Sequence, residues 1–160
     1  MPLLSRRWLR RLLLLVLVAG AAVLAYGLYL WNLPHRDVVA LAPDHQGAVQ
    51  EFITEYLNDP AAANQRYLSD DGKSTVVALR GTIRELRTNA EDLPVAVLGT
   101  PGRPAAIAFT FDPSRSGDAR QLSPGDIVTL KGVVRAGPEH NEVLGLWTDG
   151  VIEKASLPSD

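Results

Sequence analysis

Two segments of the chain share a pattern in which a glycine interrupts a strand-like run. Residues 77–84 read VALRGTIR and residues 128–135 read VTLKGVVR, with Gly81 and Gly132 at equivalent positions. A glycine inside a strand loses much backbone entropy and packs no side chain, so it usually marks a bulge, a bend or a close backbone approach. The repeated pattern therefore predicts two bent strands in a small, strongly coiled β-barrel.

The chain beyond residue 70 has the pattern of an all-β domain. Short apolar segments are separated by turns rich in glycine and proline, and no further long helical pattern occurs. The predicted strands are 75–86, 95–98, 105–111, 126–136 and 143–147. Five strands can close into an oligonucleotide/oligosaccharide-binding barrel, the OB-fold, in which the first and fourth strands are neighbours. That arrangement would place Gly81 and Gly132 in corresponding bends.

A short helical segment is predicted ahead of this barrel. Apolar residues recur at helical spacing after Asp44, which can cap the helix, and the pattern stops before Pro60. A second helical piece is expected over 61–68. The apolar residues of the first helix are Val49, Phe52, Ile53, Tyr56 and Leu57.

The N-terminal segment has the length and composition of a membrane span. Residues 12–33 carry no charge, and at about 1.5 Å per residue they cover about 33 Å, close to the ~30 Å hydrocarbon core of a bilayer. Positive charge stays on the cytoplasmic side, so the preceding arginines predict a single-pass bacterial inner-membrane protein with a periplasmic C-terminal domain. The alternative is a cleaved signal peptide, whose apolar region is usually about 7–15 residues. The arginines are Arg6, Arg7, Arg10 and Arg11.

The sequence thus divides into a basic cytoplasmic tail over 1–11, a transmembrane helix over 12–33, a linker over 34–44 and an OB-fold domain over 45–155. All 18 acidic residues, but only 12 of the 16 basic ones, follow the apolar segment. The resulting excess of six acids argues against binding to nucleic acid or to an anionic membrane surface. Cysteine is absent, which excludes a disulfide and a lipid-bearing thiol.

Basic side chains on the outward phase of the first and fourth strands are the main candidates for a ligand or partner site. The alternative is a solvated barrel exterior that pairs with acids on neighbouring strands. Trp147, at the end of the predicted fifth strand, is a further candidate, and its alternative role is to fill the core or edge of the barrel. The basic stripe consists of Arg80, Arg84, Arg87, Lys131 and Arg135.

The third predicted strand indicates what the binding face of the barrel offers. In that strand Ile107, Phe109 and Phe111 alternate with Ala106, Ala108 and Thr110, so one set faces the core and the other faces outward. If the large set is inside, the outer face lacks the rings on which bases stack in OB-folds that bind single strands. Such a surface suits close backbone packing or a protein partner.

No arrangement of residues indicates a reaction. The chain has no Ser/His/Asp order, no phosphate loop and no paired carboxylates, and its three histidines share no metal-ligand spacing. We therefore predict a non-enzymatic protein without a cofactor or a metal. The histidines are His35, His45 and His140.

Several of these motifs together resemble the tRNA_anti-like OB-fold family. The matching segments are 63–68 (ANQRYL), 77–83 (VALRGTI) and 122–132 (LSPGDIVTLKG). The resemblance spans roughly residues 45–153 and implies a barrel with a leading helix. The layout also resembles cytochrome c maturation protein E, a haem chaperone whose haem-bearing histidine follows the barrel, but residues 151–158 here contain no His or Tyr.

The expected function is a membrane-tethered periplasmic binding module for an envelope protein or a saccharide-like ligand. The lipid bilayer is an expected partner through residues 12–33. The alternatives are an OB domain that binds single-stranded nucleic acid and a haem or metal carrier.

Overall fold

The N-terminal part of the chain is a single helix, α1 (Arg6–Trp31). The computed structural model describes residues 6–31 and 37–158, and these belong to two separate units, Met1–Arg36 and Asp37–Asp160. Within α1, the stretch Arg11–Trp31 has a mean hydropathy of 2.4 and is long and apolar enough to cross a membrane. The last two residues of the predicted span, 32–33, lie outside the described residues.

The second unit begins with a short strand and two helices: β1 (His45–Ala48), α2 (Val49–Asn58) and α3 (Pro60–Tyr67). The predicted apolar face of α2 is confirmed, because four of its five residues are buried and only Leu57 is exposed. The prediction that Asp44 caps α2 is wrong, since β1 lies between them. Asp44 instead accepts a hydrogen bond from the Val76 N–H at 2.9 Å.

The start of α3 follows directly from its sequence. The Asp59 carboxylate accepts a hydrogen bond from the Ala62 N–H at 3.0 Å, and Pro60 occupies the first helical position. An N-cap aspartate satisfies one unpaired amide, and a proline there costs no hydrogen bond. The helix ends with Tyr67, whose ring is buried beside those of Phe52 and Tyr56.

Five strands form the closed barrel that the sequence predicts. The strand order β2-β3-β4-β8-β5 returns to β2 through the antiparallel β2–β5 pair, while β4 and β8 are parallel. This is the OB-fold, in which the first and fourth barrel strands pair. The barrel strands are β2 (Val76–Thr88), β3 (Pro94–Leu98), β4 (Ile107–Phe111), β5 (Ile127–Ala136) and β8 (Gly150–Ser156). Outside the barrel, β1 pairs in parallel with β2, and β6 (Glu139–Asn141) and β7 (Leu146–Thr148) form a separate hairpin.

The prediction of the fifth barrel strand is wrong. Residues 143–147 instead form the tip and second strand of the β6–β7 hairpin, where Val143 is 94% exposed. The true fifth strand is β8, and its sequence does not show a strand pattern because Ile152 and Ala155 both face the core with two residues between them. The register is irregular at this point, and Lys154 has a left-handed φ of 53°. The bulge breaks the alternation of period two by which a strand is recognised.

The core fills the barrel and extends beneath the helix pair. Ile107, Phe109 and Phe111 are at most 1% exposed and lie in this core, which confirms the predicted inward face of β4. The Phe52 ring lies 5.0 Å from the Tyr56 ring and 4.9 Å from the Tyr67 ring, between centroids. The helix pair is therefore part of the same hydrophobic core as the barrel.

Both strand glycines permit close packing, and each lies opposite the first valine of the other repeated segment. Gly81 pairs with Val128 across the strands, and a Cβ there would lie 2.9 Å from Val49 Cγ2 at the start of α2. Gly132 lies at a register shift between β5 and β8. A Cβ at Gly132 would lie 2.5 Å from Ile152 Cγ2 and 2.8 Å from the Glu153 carbonyl oxygen.

We expect Gly132→Ala to lower the free energy of unfolding by roughly 1–3 kcal/mol, because an inserted methyl group overpacks the strand contact. Gly81→Ala should also destabilise the protein, because a Cβ there would lie 2.9 Å from Val49 Cγ2 and 3.0 Å from Val49 Cβ, and a helical valine has little freedom to shift. Urea unfolding of the full-length protein measures both. Gly117→Ala is the matched control, because its Cβ would meet nothing within 4 Å. Equal stability of all three variants would contradict the close-packing role.

Candidate functional site

The outer face of β3 and β4, where OB-folds usually bind, is filled by small apolar side chains. Val95, Val97, Ala106 and Ala108 form a cluster of their own and are each at most 7% exposed. The outward neighbours of Val97 in the sheet are Glu85 and Ala108, so the face has no aromatic ring there. This face lacks the stacking platform on which single-strand binding depends.

Two arginines of β2 contribute to closing this face. Arg84 Nη1 donates a hydrogen bond to the Arg103 carbonyl oxygen at 2.9 Å. The Arg84 side chain also packs on Gly99, since a Cβ added to Gly99 would lie 3.0 Å from Arg84 Cδ. Arg87 Nη2 lies 3.8 Å from Asp149 Oδ2. Asp149 directly precedes β8, on the far side of β3 and β4 in the strand order. Both arginines are thus engaged within the domain.

Lys131 does not belong to an exposed basic stripe, contrary to the sequence analysis. Lys131 is only 6% exposed. Its Nζ donates hydrogen bonds to the Val39 and Leu41 carbonyl oxygens at 2.6 and 2.8 Å. Nearby, Val38 is buried in a small cluster with Val76 of β2 and Val133 of β5. The part of the predicted linker that is described, 37–44, therefore packs on the barrel and covers a lysine that strand alternation had placed in solvent.

The two remaining residues of the predicted basic stripe, Arg80 and Arg135, also have different surroundings. Arg135 Nε pairs with Glu153 Oε2 of the adjacent strand β8 at 2.9 Å. Arg80 is exposed and takes part in none of the ion pairs of the described residues. The structure thus distributes the five predicted basic residues over several local contacts instead of one anion site.

A ligand-sized cleft lies elsewhere, between the helix pair and the β6–β7 hairpin. It has a volume of about 660 Å³, within the usual range of small-ligand sites, about 300–1,000 Å³. The helices contribute Tyr56, Leu57 and Asn64, and the end of β5 contributes Arg135. The hairpin contributes the polar and aromatic side chains Glu139, His140, Glu142 and Trp147.

A stacked pair of rings forms the hairpin wall of this cleft. His140 and Trp147 face each other across the two strands, with ring centroids 4.3 Å apart and planes inclined by 25°. Trp147 is 37% exposed, so it does not fill the barrel core. Trp147 also lines a smaller cleft of about 210 Å³ with Ile53, Leu57 and Pro104. The sequence singled out Trp147 correctly but gave no signal that His140 joins it.

The chain after β5 passes directly over the Tyr56 ring at the cleft. A Cβ on Gly137 would lie 2.0 Å from two ring carbons of Tyr56, so only glycine allows this approach. The Tyr56 hydroxyl is buried and has no hydrogen-bond partner among the described residues. Burial, reinforced by Tyr67 and by the Glu55 carboxylate, raises the pKa of Tyr56 to about 12. The hydroxyl is therefore protonated at neutral pH and able to donate.

A polar cluster on the outer side of the helix pair joins α2 to α3. Glu55 Oε1 pairs with Arg66 Nη1, and Glu55 Oε2 accepts a hydrogen bond from the Tyr67 hydroxyl at 2.8 Å. Burial raises the pKa of Glu55, but these hydrogen bonds outweigh it and hold the pKa below its usual 4.5. Burial and the Glu55 hydrogen bond raise the pKa of Tyr67 to about 12.

Among the described residues, no three His, Cys, Asp or Glu side chains lie close enough together to hold a metal ion. The polar side chains at the cleft are suited to hydrogen bonding, and the stacked rings offer a flat apolar surface. Small-ligand sites in proteins commonly combine a few polar groups with an apolar wall in this way.

The molecule is thus an OB-fold domain with a leading helix pair, a ligand-sized cleft and an N-terminal helix able to cross a membrane. No protein-family model matches the chain, and no curated protein is significantly similar to it. A similar solved structure is that of a Klebsiella pneumoniae protein proposed to be a nucleic acid-binding lipoprotein. The two chains share 19% sequence identity with a TM-score of 0.53, over 79% of this chain and 100% of the other. This similarity supports the fold.

Replacing Lys131 by Met should lower the free energy of unfolding by roughly 1–3 kcal/mol, because two carbonyls beneath the covering segment lose their donor. Arg80→Met is the matched control from the same predicted stripe and should stay within about 0.5 kcal/mol of the wild type. Urea unfolding of the full-length protein in detergent measures both. Equal effects of the two substitutions would contradict the buried role of Lys131.

Glu55→Gln should destabilise the protein at pH 7, and the difference from the wild type should shrink as the pH falls below about 4.5. The pKa of Glu55 is lower in the folded state, so its contribution is present above the unfolded pKa and is lost as the pH falls through the folded value. Unfolding curves at pH 7 and pH 3 test this. Glu91→Gln, at an exposed acid outside the ion pairs of the described residues, should show no such pH-dependent difference.

Proposed function

We propose that this protein is a non-enzymatic, membrane-tethered OB-fold module that faces the periplasm and binds an envelope component. In this proposal α1 remains attached as an anchor, with its arginine-rich end in the cytoplasm. The apolar stretch Arg11–Trp31 supports an anchor by its length. The four arginines at its N-terminal end, Arg6, Arg7, Arg10 and Arg11, support the orientation. The leading helix pair and barrel also support membership of the tRNA_anti-like OB-fold family.

One observation carries the proposal: the usual binding face of the fold is filled, while an open cleft lies at the hairpin. The hairpin connects the fourth and fifth barrel strands, which is one of the two loops that OB-folds use for ligands. Here it turns toward α2 and α3 and presents Trp147 and His140 to the cleft. We propose that the partner, an envelope protein or a saccharide-like molecule, binds there.

Binding of single-stranded nucleic acid is the second candidate, favoured by the activity proposed for the Klebsiella pneumoniae protein of similar fold. The charges of this chain oppose it. Residues 34–160 have an excess of six acids, and the β3–β4 face offers buried Val97 and Ala108 where bases would stack. Without counterion release and stacking, affinity at physiological salt should be weak.

Because the chain contains no cysteine, single-cysteine variants test both the topology and the site. We expect Asn64→Cys, at the cleft, to react with a membrane-impermeant maleimide supplied to the periplasm of intact cells. After coupling to a benzophenone maleimide and illumination in native membranes, Asn64→Cys should form specific crosslinks to an envelope component. Mass spectrometry of the conjugates identifies the component.

Glu85→Cys is the matched control, because Glu85 is exposed on the β3–β4 side of the barrel. Crosslinks from Glu85→Cys and none from Asn64→Cys would place the partner outside the cleft and contradict the proposed site. Reaction only after the inner membrane is permeabilised would contradict the periplasmic orientation.

A further inference from the structure

The chemistry of the cleft indicates a narrower class of ligand than the proposed function requires. We infer that the cleft between α2, α3 and the β6–β7 hairpin binds a neutral oligosaccharide, with one sugar ring lying on Trp147. This inference rests on the proposed binding role of the same cleft. It is carried by the shape of the cleft wall, the charge of its side chains and the type of hydrogen-bonding groups that line it.

The wall provides a flat apolar surface held in a fixed orientation. The indole of Trp147 is backed by the His140 imidazole at 4.3 Å between centroids, and the two residues are cross-strand partners in the hairpin. Neighbouring apolar surface continues onto Leu57 of α2, which is 41% exposed. Trp147 is 37% exposed, and a partly exposed aromatic ring suits the C–H face of a sugar.

The charge of the cleft disfavours anionic ligands. Glu139 and Glu142 are exposed acids of the hairpin. The basic side chain that lines the cleft, Arg135, pairs with Glu153 at 2.9 Å. A phosphate or a nucleic acid would meet net negative charge here and would gain little from counterion release. A neutral ligand carries no such cost.

The polar groups of the cleft match hydroxyl groups, which both donate and accept hydrogen bonds. The Asn64 amide offers a donor and an acceptor, and the Glu139 carboxylate offers acceptors. Amide, carboxylate and an aromatic platform together form a set that recognises a polyhydroxylated, uncharged molecule.

Trp147 also provides the measurement. The chain has three tryptophans, so Trp8→Phe and Trp31→Phe in the full-length protein leave Trp147 as the single reporter. This variant, in phosphatidylcholine nanodiscs that contain no sugar detergent, is titrated with chitotetraose, cellotetraose and maltotetraose. We expect at least one of these probes to change the Trp147 emission saturably.

Asn64→Ala should weaken that affinity by about 2- to 10-fold, the effect of losing one or two neutral hydrogen bonds. Gln65→Ala is the matched control, because Gln65 is an exposed amide on the same helix that does not line the cleft, and it should leave the affinity unchanged. Measured by calorimetry, Trp147→Ala should weaken binding by a similar factor, whereas Trp147→Phe should retain most of it.

No response to any of the three probes would overturn the saccharide assignment. If Asn64→Cys still crosslinks to a protein in membranes, the cleft remains a binding site and its occupant is that protein. If neither saccharide binding nor crosslinking occurs, the proposed function fails as well. A saturable Trp147 response to a mixed-sequence oligonucleotide at about 150 mM salt would overturn the charge argument and assign the cleft to nucleic acid.

Discussion

The close packing of α2 on bare backbone is the constraint on which the rest of this domain depends. At its first turn, Val49 packs on Gly81 of β2, and one turn before its end Tyr56 packs on Gly137 after β5. A side chain at either glycine would overlap with the helix. These two contacts fix the helix against the barrel, so they also fix the position of the cleft wall that carries Leu57 and Tyr56.

This packing changes which surface of an OB-fold is available. The β6–β7 hairpin and the helix pair line one cleft, to which the hairpin contributes Trp147. The β3–β4 face is correspondingly closed by small apolar residues and by the Arg87–Asp149 contact. The shared barrel therefore does not imply a shared ligand site, as expected for a fold that hosts many functions.

Lys131 shows how a charged residue can serve architecture in place of binding. Its ammonium group is buried against two carbonyls of the 37–44 segment, which replace the water that it loses. The same segment buries Val38 against β2 and β5. The residues that follow the N-terminal helix are thus an integral part of the folded domain from Asp37 onward.

The sequence by itself determined the fold class, the inward face of β4, the helical face of α2 and the apolar N-terminal helix. Each of these is a regular period or a long uniform run within one element, which the chain records locally. Only the tertiary structure decided that β8 is the fifth strand, because a bulge at Lys154 breaks its alternation. Only the tertiary structure showed that His140 stacks on Trp147, that Lys131 is buried and that a cleft lies between the helix pair and the β6–β7 hairpin. The burial of Lys131 and the cleft arise where segments distant in sequence meet. The β8 bulge and the His140–Trp147 pair are local, but they depend on a strand irregularity and a hairpin register that no regular period marks.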